Sequence, residues 1–274
     1  MITITRRVLQ EGAAVVVSGR PMTAAATGIA TAGVLFGSGY GTIGHSLLRM
    51  TSLMVVVMVA FLANDLWDEK ADRAAGRRRP LAMRQVERRT LVIGGTSLGL
   101  LAVLIETALG SPDEWLFLVG LGIAGVAYSP LAWRLPKIKN IWMAFVVSGA
   151  MLYAASITGT RLSPTGIVSL GIFILGREVL LDVRDLESDL SQGRVSLAGV
   201  LGRKMALAVA MLLVGGGVVG YGIVVHNMLF WAAVGSGSIL FYILHVQRGF
   251  EVAFRESTHV LLLLGALGTG ALVR

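Results

Sequence analysis

Long runs of apolar residues, separated by short charged stretches, dominate the chain. A segment of about 20 residues crosses a bilayer core, and apolar segments near that length recur nine times in the sequence. The predicted spans are residues 22–39, 45–64, 90–109, 114–129, 141–158, 163–182, 204–225, 227–245 and 257–273. The pattern therefore predicts an all-α integral membrane protein whose helices form a bundle around a central cavity.

Composition supports this interpretation. Of the 274 residues, 55% are hydrophobic and only 15% are charged, whereas a soluble domain carries about 25% charged residues. The 35 glycines suit membrane helices, in which small residues let backbones approach closely. The absence of cysteine excludes disulfides and thiolate metal sites. We expect one transmembrane domain over residues 1–274, without a cleavable signal peptide.

The basic residues predict the orientation of the bundle. With the N-terminus in the cytoplasm, all but three of the 24 lysines and arginines fall on the cytoplasmic side; the exceptions are Arg49, Arg161 and Arg274. Such an excess is typical of cytoplasmic loops, and a bacterial or archaeal cell membrane is expected. The net charge of +8 is then explained by orientation and anionic headgroups, and it requires no nucleic-acid partner.

Two predicted spans that run toward the cytoplasm end in clusters of carboxylates. Each cluster has three aspartates spaced i, i+3, i+7, which places them on one helical face. Every member of the second trio lies 117 positions after its counterpart, and so does a following Gly-Arg pair; the residues are Asp65, Asp68, Asp72 and Gly76-Arg77, then Asp182, Asp185, Asp189 and Gly193-Arg194. We interpret this as an internal duplication, with halves of about 45–129 and 163–245.

Two explanations of these acids are open. They can be solvated loop residues that pair with nearby arginines, or they can converge on a cavity and require bound cations. The repetition of the same spacing favours the second. All-oxygen ligands suit Mg²⁺, or Mn²⁺, shared with phosphate oxygens, and arginines suit the remaining phosphate charge. On this hypothesis the mouth of the metal-free protein is expected to be strained and open.

Several short motifs resemble those of the UbiA-type intramembrane prenyltransferases. NDLWDEKAD at 64–72 is similar to that family's N-D-x2-D-x3-D motif, and LDVRDLESD at 181–189 resembles its second aspartate motif. Smaller matches are Arg20-Pro21, Arg79-Pro80-Leu81, and Tyr128-Ser129-Pro130 with Lys137 and Asn140 beyond. The sequence departs from the family pattern at Leu181, Ser188 and Ser196–Ala198, which leaves the acceptor subclass open.

The resemblance implies roles for particular residues. The expected catalytic residues are the six aspartates, Asp65, Asp68, Asp72, Asp182, Asp185 and Asp189, and the same residues with Asn64 are the expected metal ligands. The expected diphosphate-binding residues are Arg20, Arg77, Arg79, Tyr128, Lys137 (with Lys139 beside it) and Arg194. Glu106 and Asp113 fall on the opposite side of the membrane, and their replacement is expected to be nearly silent.

The function implied is transfer of an isoprenyl group from a Mg²⁺-bound isoprenyl diphosphate to a lipophilic acceptor, an aromatic ring or a hydroxyl, within the membrane lipid. The alternative is a UbiA-type terpene cyclase, in which the ionised chain attacks itself. A CDP-alcohol phosphotransferase is disfavoured because Glu69-Lys70 stands where that family requires glycine. A transporter is disfavoured because nearly all the ionisable residues sit at one mouth rather than near the bilayer midplane.

Overall fold

The computed structural model describes residues 2–225 and a few positions between 234 and 261. The predicted spans 227–245 and 257–273 lie almost wholly outside the described residues. In the described part the helices are α1 (Ile2–Ser18), α2 (Pro21–Gly37), α3 (Ile43–Ala74), α4 (Arg88–Leu109), α5 (Pro112–Arg134), α6 (Lys139–Thr158), α7 (Pro164–Ser191), the single turn α8 (Leu197–Leu201) and α9 (Arg203–Val225).

The prediction of an all-α integral membrane protein is confirmed. Five helices, α3, α4, α5, α6 and α9, are long and apolar enough to cross a bilayer. The helix α2 is apolar but shorter, with 17 residues. The helix α7 begins as an apolar segment and ends in the second aspartate cluster.

Several helices extend beyond the apolar segments that predicted them. α3 continues past residue 64 to Ala74, and α7 continues past residue 182 to Ser191. α5 runs through Pro130 to Arg134, beyond the predicted end at residue 129. An apolar pattern marks only the part of a helix that lies in lipid. The backbone hydrogen bonds of the helix continue into the polar segment, where polar side chains find partners. Both aspartate trios therefore lie on regular helix rather than in loops.

Three helices begin with the same local chemistry at the end of the bundle opposite the aspartates. Thr42, Ser111 and Ser163 each accept a hydrogen bond from a backbone N–H in the first turn of α3, α5 and α7. Hydroxyl side chains satisfy N–H groups that have no partner within the helix. Proline at the first position of α5 and α7 supplies the backbone angle that a helix start requires.

Outer helices support the helices that surround the cavity. α4 packs on α3, and α9 packs closely on α7. Close approach depends on glycine: a Cβ on Gly176 would lie 2.7 Å from the Val214 nitrogen, and one on Gly217 would lie 2.6 Å from the Phe173 nitrogen. The sequence GGG at 215–217 thus contributes to helix packing through its third residue.

A buried ion cluster holds α3, α4 and α5 together at the end opposite the aspartates. Arg49 is 1% exposed and pairs with Glu106, which is fully buried. It also donates to Glu114 at 2.6 Å and to the Leu109 carbonyl at 2.9 Å. Arg49 and Glu106 therefore form a buried ion pair within the bundle. Sequence reasoning assigned Glu106 no structural role, and its replacement is now expected to lower stability.

Candidate active site

A cavity of about 450 Å³ lies between α2, α3, α5, α6 and α7. Its inner part is apolar, lined by residues such as Leu53, Val57, Leu121 and Val147. Its mouth is charged, with carboxylates from Asp68, Asp72, Glu178, Asp182, Asp185 and Asp189, and cations from Arg20, Arg77, Arg79, Lys139, Arg177, Arg184 and Arg194. The cavity can thus accommodate a molecule with an anionic head and an apolar tail.

The first aspartate helix ends in a turn that brings an arginine back to the third aspartate. Gly76 has a left-handed backbone, with φ of 63°. The N–H of Arg77 donates to the carbonyl of Asp72 at 2.9 Å, and the N–H of Gly76 donates to the carbonyl of Arg73 at 3.2 Å. This is a Schellman motif, and it brings the Arg77 guanidinium to 3.5 Å from the Asp72 carboxylate.

The second aspartate helix ends in the same way. Gly193 has φ of 71°, the N–H of Arg194 donates to the carbonyl of Asp189 at 2.9 Å, and their side chains pair at 2.8 Å. The repeated D-x3-G-R pattern therefore has a physical basis, since aspartate, glycine and arginine occupy matching positions of one helix-ending motif. The shared geometry agrees with an internal duplication, which stays a prediction.

The loop after α3 places a second arginine beside the first trio. Leu81 is buried in a cluster with Leu62 and Leu91, which fixes the loop against the bundle. Arg79, two residues earlier, pairs with Asp65 at 2.5 Å and with Asp72 at 3.2 Å. Asp65 is 3% exposed and lies behind the cavity wall.

The residue Arg20 approaches the same trio from the start of α2. It has a left-handed backbone, with φ of 49°, which is uncommon for a residue other than glycine. Its guanidinium lies 4.3 Å from the centre of the Phe61 ring and donates to the Asn64 side-chain oxygen at 3.0 Å. Burial, together with the charge of Arg79, lowers the pKa of Arg20 to about 10 against the opposing effect of Asp65. Arg20 is thus a cation at neutral pH.

The second trio pairs with cations from α6 and from its own helix. Lys139 lies 2.7 Å from Asp182 and 3.9 Å from Asp189. Asn140, also on α6, donates to Asp182 at 2.9 Å. Asp185 accepts two hydrogen bonds from Arg184, at 2.8 and 2.7 Å.

One arginine joins the two clusters across the mouth. Arg77 contacts Asp72 and also lies 3.0 Å from Asp185 on α7. Arginines and a lysine pair with five of the six aspartates, which removes the reason for expecting a strained and open mouth. Opposite charges on separate elements attract, and the pair of Arg77 with Asp185 crosses the mouth.

Asp68 differs from the other five aspartates because its partners are neutral. It accepts a hydrogen bond from the Trp133 indole at 2.9 Å and one from the Asn64 amide at 3.0 Å. Asn64 in turn donates to Ser129 at 2.8 Å. Within the described residues, no three His, Asp or Glu side chains converge as a preformed metal site.

Most of the residues predicted from sequence meet at this cavity, including Asn64, Tyr128 and the predicted arginines. Lys137 does not: it is exposed in the turn before α6 and is absent from the cavity wall, whereas Lys139 lines it. Lys139 opens the α6 helix, which directs it inward.

Sequence reasoning missed three contributors, namely Trp133, Arg177 and Arg184. Arg177 and Arg184 lie seven positions apart in α7, with Leu181 of the cavity wall between them. Residues at these spacings share a helical face, so a helical projection of the longer helix would have included them. No local signal indicates Trp133.

The comparisons with known proteins agree with this architecture. The model of the UbiA prenyltransferase family matches residues 14–266, and the chain belongs to that family. It is similar to the digeranylgeranylglyceryl phosphate synthase of Thermococcus kodakarensis, at 27% identity over 60% of this chain and 62% of the relative. It is also similar to the synthase of Thermococcus sibiricus, at 26% identity over 70% of this chain and 76% of the relative.

Solved structures share the fold. A UbiA homologue from Aeropyrum pernix, solved without ligand, superposes with a TM-score of 0.71 at 18% identity, covering 90% of this chain and 96% of its own. A homologue from Archaeoglobus fulgidus, solved with GPP and Mg²⁺, gives a TM-score of 0.67 at 16% identity, covering 93% of this chain and 99% of its own.

Proposed function

We propose that this protein transfers an isoprenyl group from an isoprenyl diphosphate to a lipophilic acceptor and releases diphosphate. One observation carries the proposal: five of the six aspartates, from two separate helices, line the charged mouth of a single cavity whose inner wall is apolar. A diphosphate with a prenyl tail has the same division of charge along its length. Membership of a prenyltransferase family supports the same conclusion.

The residues present fit Mg²⁺ as the cofactor. The donor set is entirely oxygen, from the six aspartates and Asn64, which suits a hard cation. Mg²⁺ is commonly held by one or two carboxylates together with substrate phosphates, so a preformed trio of ligands is not required. We assign Asp65, Asp68 and Asp72 with Asn64 to one metal-holding group, and Asp182, Asp185 and Asp189 to the other. Bound there, Mg²⁺ supplies positive charge that stabilises the departing diphosphate.

The cationic side chains at the mouth are proposed to bind the diphosphate. Seven cationic side chains and six carboxylates line the cavity, and most of the cations are paired with carboxylates. Arg79, Arg77 and Arg194 can exchange carboxylate oxygens for phosphate oxygens without leaving the mouth, because guanidinium binds both in the same planar way. We assign Arg20, Arg77, Arg79, Tyr128, Lys139 and Arg194 to the diphosphate; Lys137, which lies outside, is not included.

In the proposed reaction the isoprenyl diphosphate ionises, and the acceptor then captures the allylic cation. The allylic C–O bond breaks and its electron pair leaves with the diphosphate. The allylic cation lies in the apolar part of the cavity, beside Phe61 and Val57, where aromatic faces stabilise positive charge and water is excluded. The nucleophilic atom of the acceptor forms the new bond and loses its proton to a carboxylate at the mouth of the cavity.

The names of the relatives favour a hydroxyl acceptor over an aromatic ring. Digeranylgeranylglyceryl phosphate has prenyl groups on the oxygens of a glyceryl phosphate. Transfer to such an acceptor would form an ether. We therefore place a lipid alcohol first and an electron-rich ring second.

The mouth is proposed to face the cytoplasm. The basic loop between α3 and α4 and the basic turn between α5 and α6 flank the mouth, and lysine and arginine concentrate in cytoplasmic loops. Labelling of single cysteines introduced at exposed Arg78 and at Arg161, in intact cells, tests this orientation.

Purified protein in lipid vesicles provides the functional test. Labelled C10, C15 and C20 diphosphates are supplied with Mg²⁺ and either a glyceryl phosphate lipid or a hydroxylated aromatic acid, and the lipid extract is analysed. The expected result is a labelled ether lipid and release of diphosphate, both abolished by EDTA and restored by Mg²⁺.

Three other results of this experiment would lead to different conclusions about the reaction. Labelled hydrocarbon formed without an acceptor would indicate the terpene cyclase. Labelled aromatic product alone would replace the hydroxyl acceptor by a ring. Full turnover in EDTA, or no consumption of any diphosphate, would contradict the proposed function.

A further inference from the structure

The side chain of Trp133 touches both aspartate clusters at once. It lies in the last turn of α5 and is 37% exposed. Its indole N–H donates to the Asp68 carboxylate of α3 at 2.9 Å. Its ring lies 4.4 Å below the guanidinium carbon of Arg194, which pairs with Asp189 at 2.8 Å. A single indole thus connects the first cluster to the second.

The contact with Asp68 belongs to a regular pairing between two helices. On α5, Ser129 and Trp133 are spaced i, i+4, and on α3 so are Asn64 and Asp68. Ser129 contacts Asn64 at 2.8 Å and Trp133 contacts Asp68 at 2.9 Å. Residues four apart share a helix face, so the two contacts form successive rungs. This pairing fixes the register of α5 against the first cluster.

Asp68 is the aspartate for which such a neutral partner matters most. Each of the other five lies within 4.0 Å of an arginine or lysine, whereas the partners of Asp68 are an indole and an amide. Among the residues that the structure describes, no arginine or lysine forms an ion pair with Asp68. A carboxylate has about four acceptor positions, and the two hydrogen bonds orient both oxygens while leaving capacity for a cation.

We propose that Trp133 is a positioning residue for the reaction: it orients the Asp68 carboxylate toward Mg²⁺ and supports the Arg194 guanidinium against the diphosphate. The inference rests on the proposed function. Loss of a partner that orients a metal-binding side chain typically lowers metal affinity or activity 10- to 100-fold. The ring contact is a cation–π interaction, which a phenyl ring preserves and an aliphatic side chain does not.

The two contacts can be separated by substitution. Trp133→Phe removes the N–H donor and keeps a ring beneath Arg194. It is expected to raise the Mg²⁺ concentration for half-maximal activity about 10- to 100-fold, with kcat at saturating Mg²⁺ and the KM for geranyl diphosphate near wild type. Trp133→Leu removes both contacts and is expected to raise the KM for geranyl diphosphate as well. Trp133→His retains a ring N–H and is expected to recover part of the Mg²⁺ affinity.

Trp142 offers a matched control. It lies on α6, and its indole donates to the Ala124 carbonyl at 2.9 Å, but it does not line the cavity. Trp142→Phe is therefore expected to change stability without changing the Mg²⁺ requirement. A purely structural role for Trp133 would give the same pattern as this control.

Tryptophan fluorescence gives a readout independent of turnover. Addition of Mg²⁺ with geranyl diphosphate is expected to change the emission of the wild type and of Trp142→Phe, and the change is expected to be lost in Trp133→Phe. An unaltered Mg²⁺ requirement, tighter Mg²⁺ binding, or a retained emission change in folded Trp133→Phe would overturn the inference. If Trp133→Phe does not fold, Trp133→His and Trp133→Leu take its place, and equal losses of Mg²⁺ affinity in these two variants would overturn the inference, because only histidine retains a ring N–H. A wild type that consumes no diphosphate would instead contradict the proposed function.

Discussion

At the scale of the residue, the six aspartates have the same chemistry but different surroundings. Asp65 and Asp72 share Arg79, whereas Asp68 is held by an indole and an amide. A carboxylate already paired with a guanidinium must exchange that partner to bind a metal, but Asp68 need not. We therefore expect Asp68 to bind the first cation.

Replacement of Asp68 by asparagine tests this expectation. Asp68→Asn keeps the shape of the side chain and an oxygen for the Trp133 hydrogen bond, and it removes the charge. Since a metal supplies several kcal/mol of transition-state stabilisation, turnover is expected to fall on the order of 100-fold or more, with the thermal midpoint near wild type. Exposed Asp113, replaced in the same way, is the control. Equal losses of turnover in the two variants would indicate a general effect instead.

The buried pair of Arg49 and Glu106 gives a prediction about stability. Glu106→Ala leaves the Arg49 guanidinium buried without its main partner, and breaking a buried pair in this way costs about 3 to 5 kcal/mol. Denaturant unfolding in detergent measures the loss of free energy, and Asp113→Ala is expected to change it little. A silent Glu106→Ala would mean that Glu114 alone satisfies Arg49.

At the scale of the element, the ends of α3 and α7 illustrate how a helix stop becomes part of a site. The left-handed glycine reverses the chain, and the arginine that follows returns to the third aspartate. No neighbour lies within 4 Å of a Cβ added at Gly76 or Gly193. A side chain there would therefore meet a backbone cost rather than a steric clash.

Substitution of Gly193 tests the importance of this turn. Gly193→Ala is expected to cost about 1 to 2 kcal/mol, because a left-handed residue with a Cβ is strained. It is also expected to raise the KM for the diphosphate, because the turn that directs Arg194 is disturbed. Gly120→Ala, at an exposed position of α5 with no neighbour within 4 Å, is the control and is expected to stabilise the helix slightly. Similar effects of the two alanines would contradict the assigned role of the turn.

At the scale of the whole molecule, the cavity couples several helices to one ligand. Ion pairs such as Arg77 with Asp185 cross the mouth and connect the loop after α3 to α7. A ligand that engages both trios would add contacts between the same elements. Stability of the bundle should therefore depend on the metal and the diphosphate together.

Thermal unfolding with each ligand measures this coupling. Mg²⁺ with geranyl diphosphate is expected to raise the midpoint more than the sum of the two separate effects, because each supplies part of the other's site. A ligand at a hundred times its dissociation constant stabilises the folded protein by about 2.7 kcal/mol. Mg²⁺ with decanol serves as the control for the apolar tail. An equal rise with geranyl diphosphate in EDTA would show that the cations alone bind the diphosphate.

The sequence by itself determined the elements and their faces. Apolar runs near 20 residues indicate spanning helices because lipid offers backbone groups no other partner. The spacing of Asp65, Asp68 and Asp72 places them on one face because the helix has a fixed period. The D-x3-G-R pattern is likewise local, since all the contacts of the turn lie within a few residues.

Only the tertiary structure determined which charged side chains pair with one another. Arg77 follows Asp72 by five positions in the sequence but also reaches Asp185, and Lys139 rather than Lys137 enters the cavity. Trp133 contacts Asp68 across 65 positions, and Arg49 contacts Glu106 across 57. Such pairs depend on how helices are rotated and stacked against one another, and this is set by close contacts such as Gly217 on Phe173. The periodicity of a single segment carries no information about its neighbour, so these contacts follow only from the packed bundle.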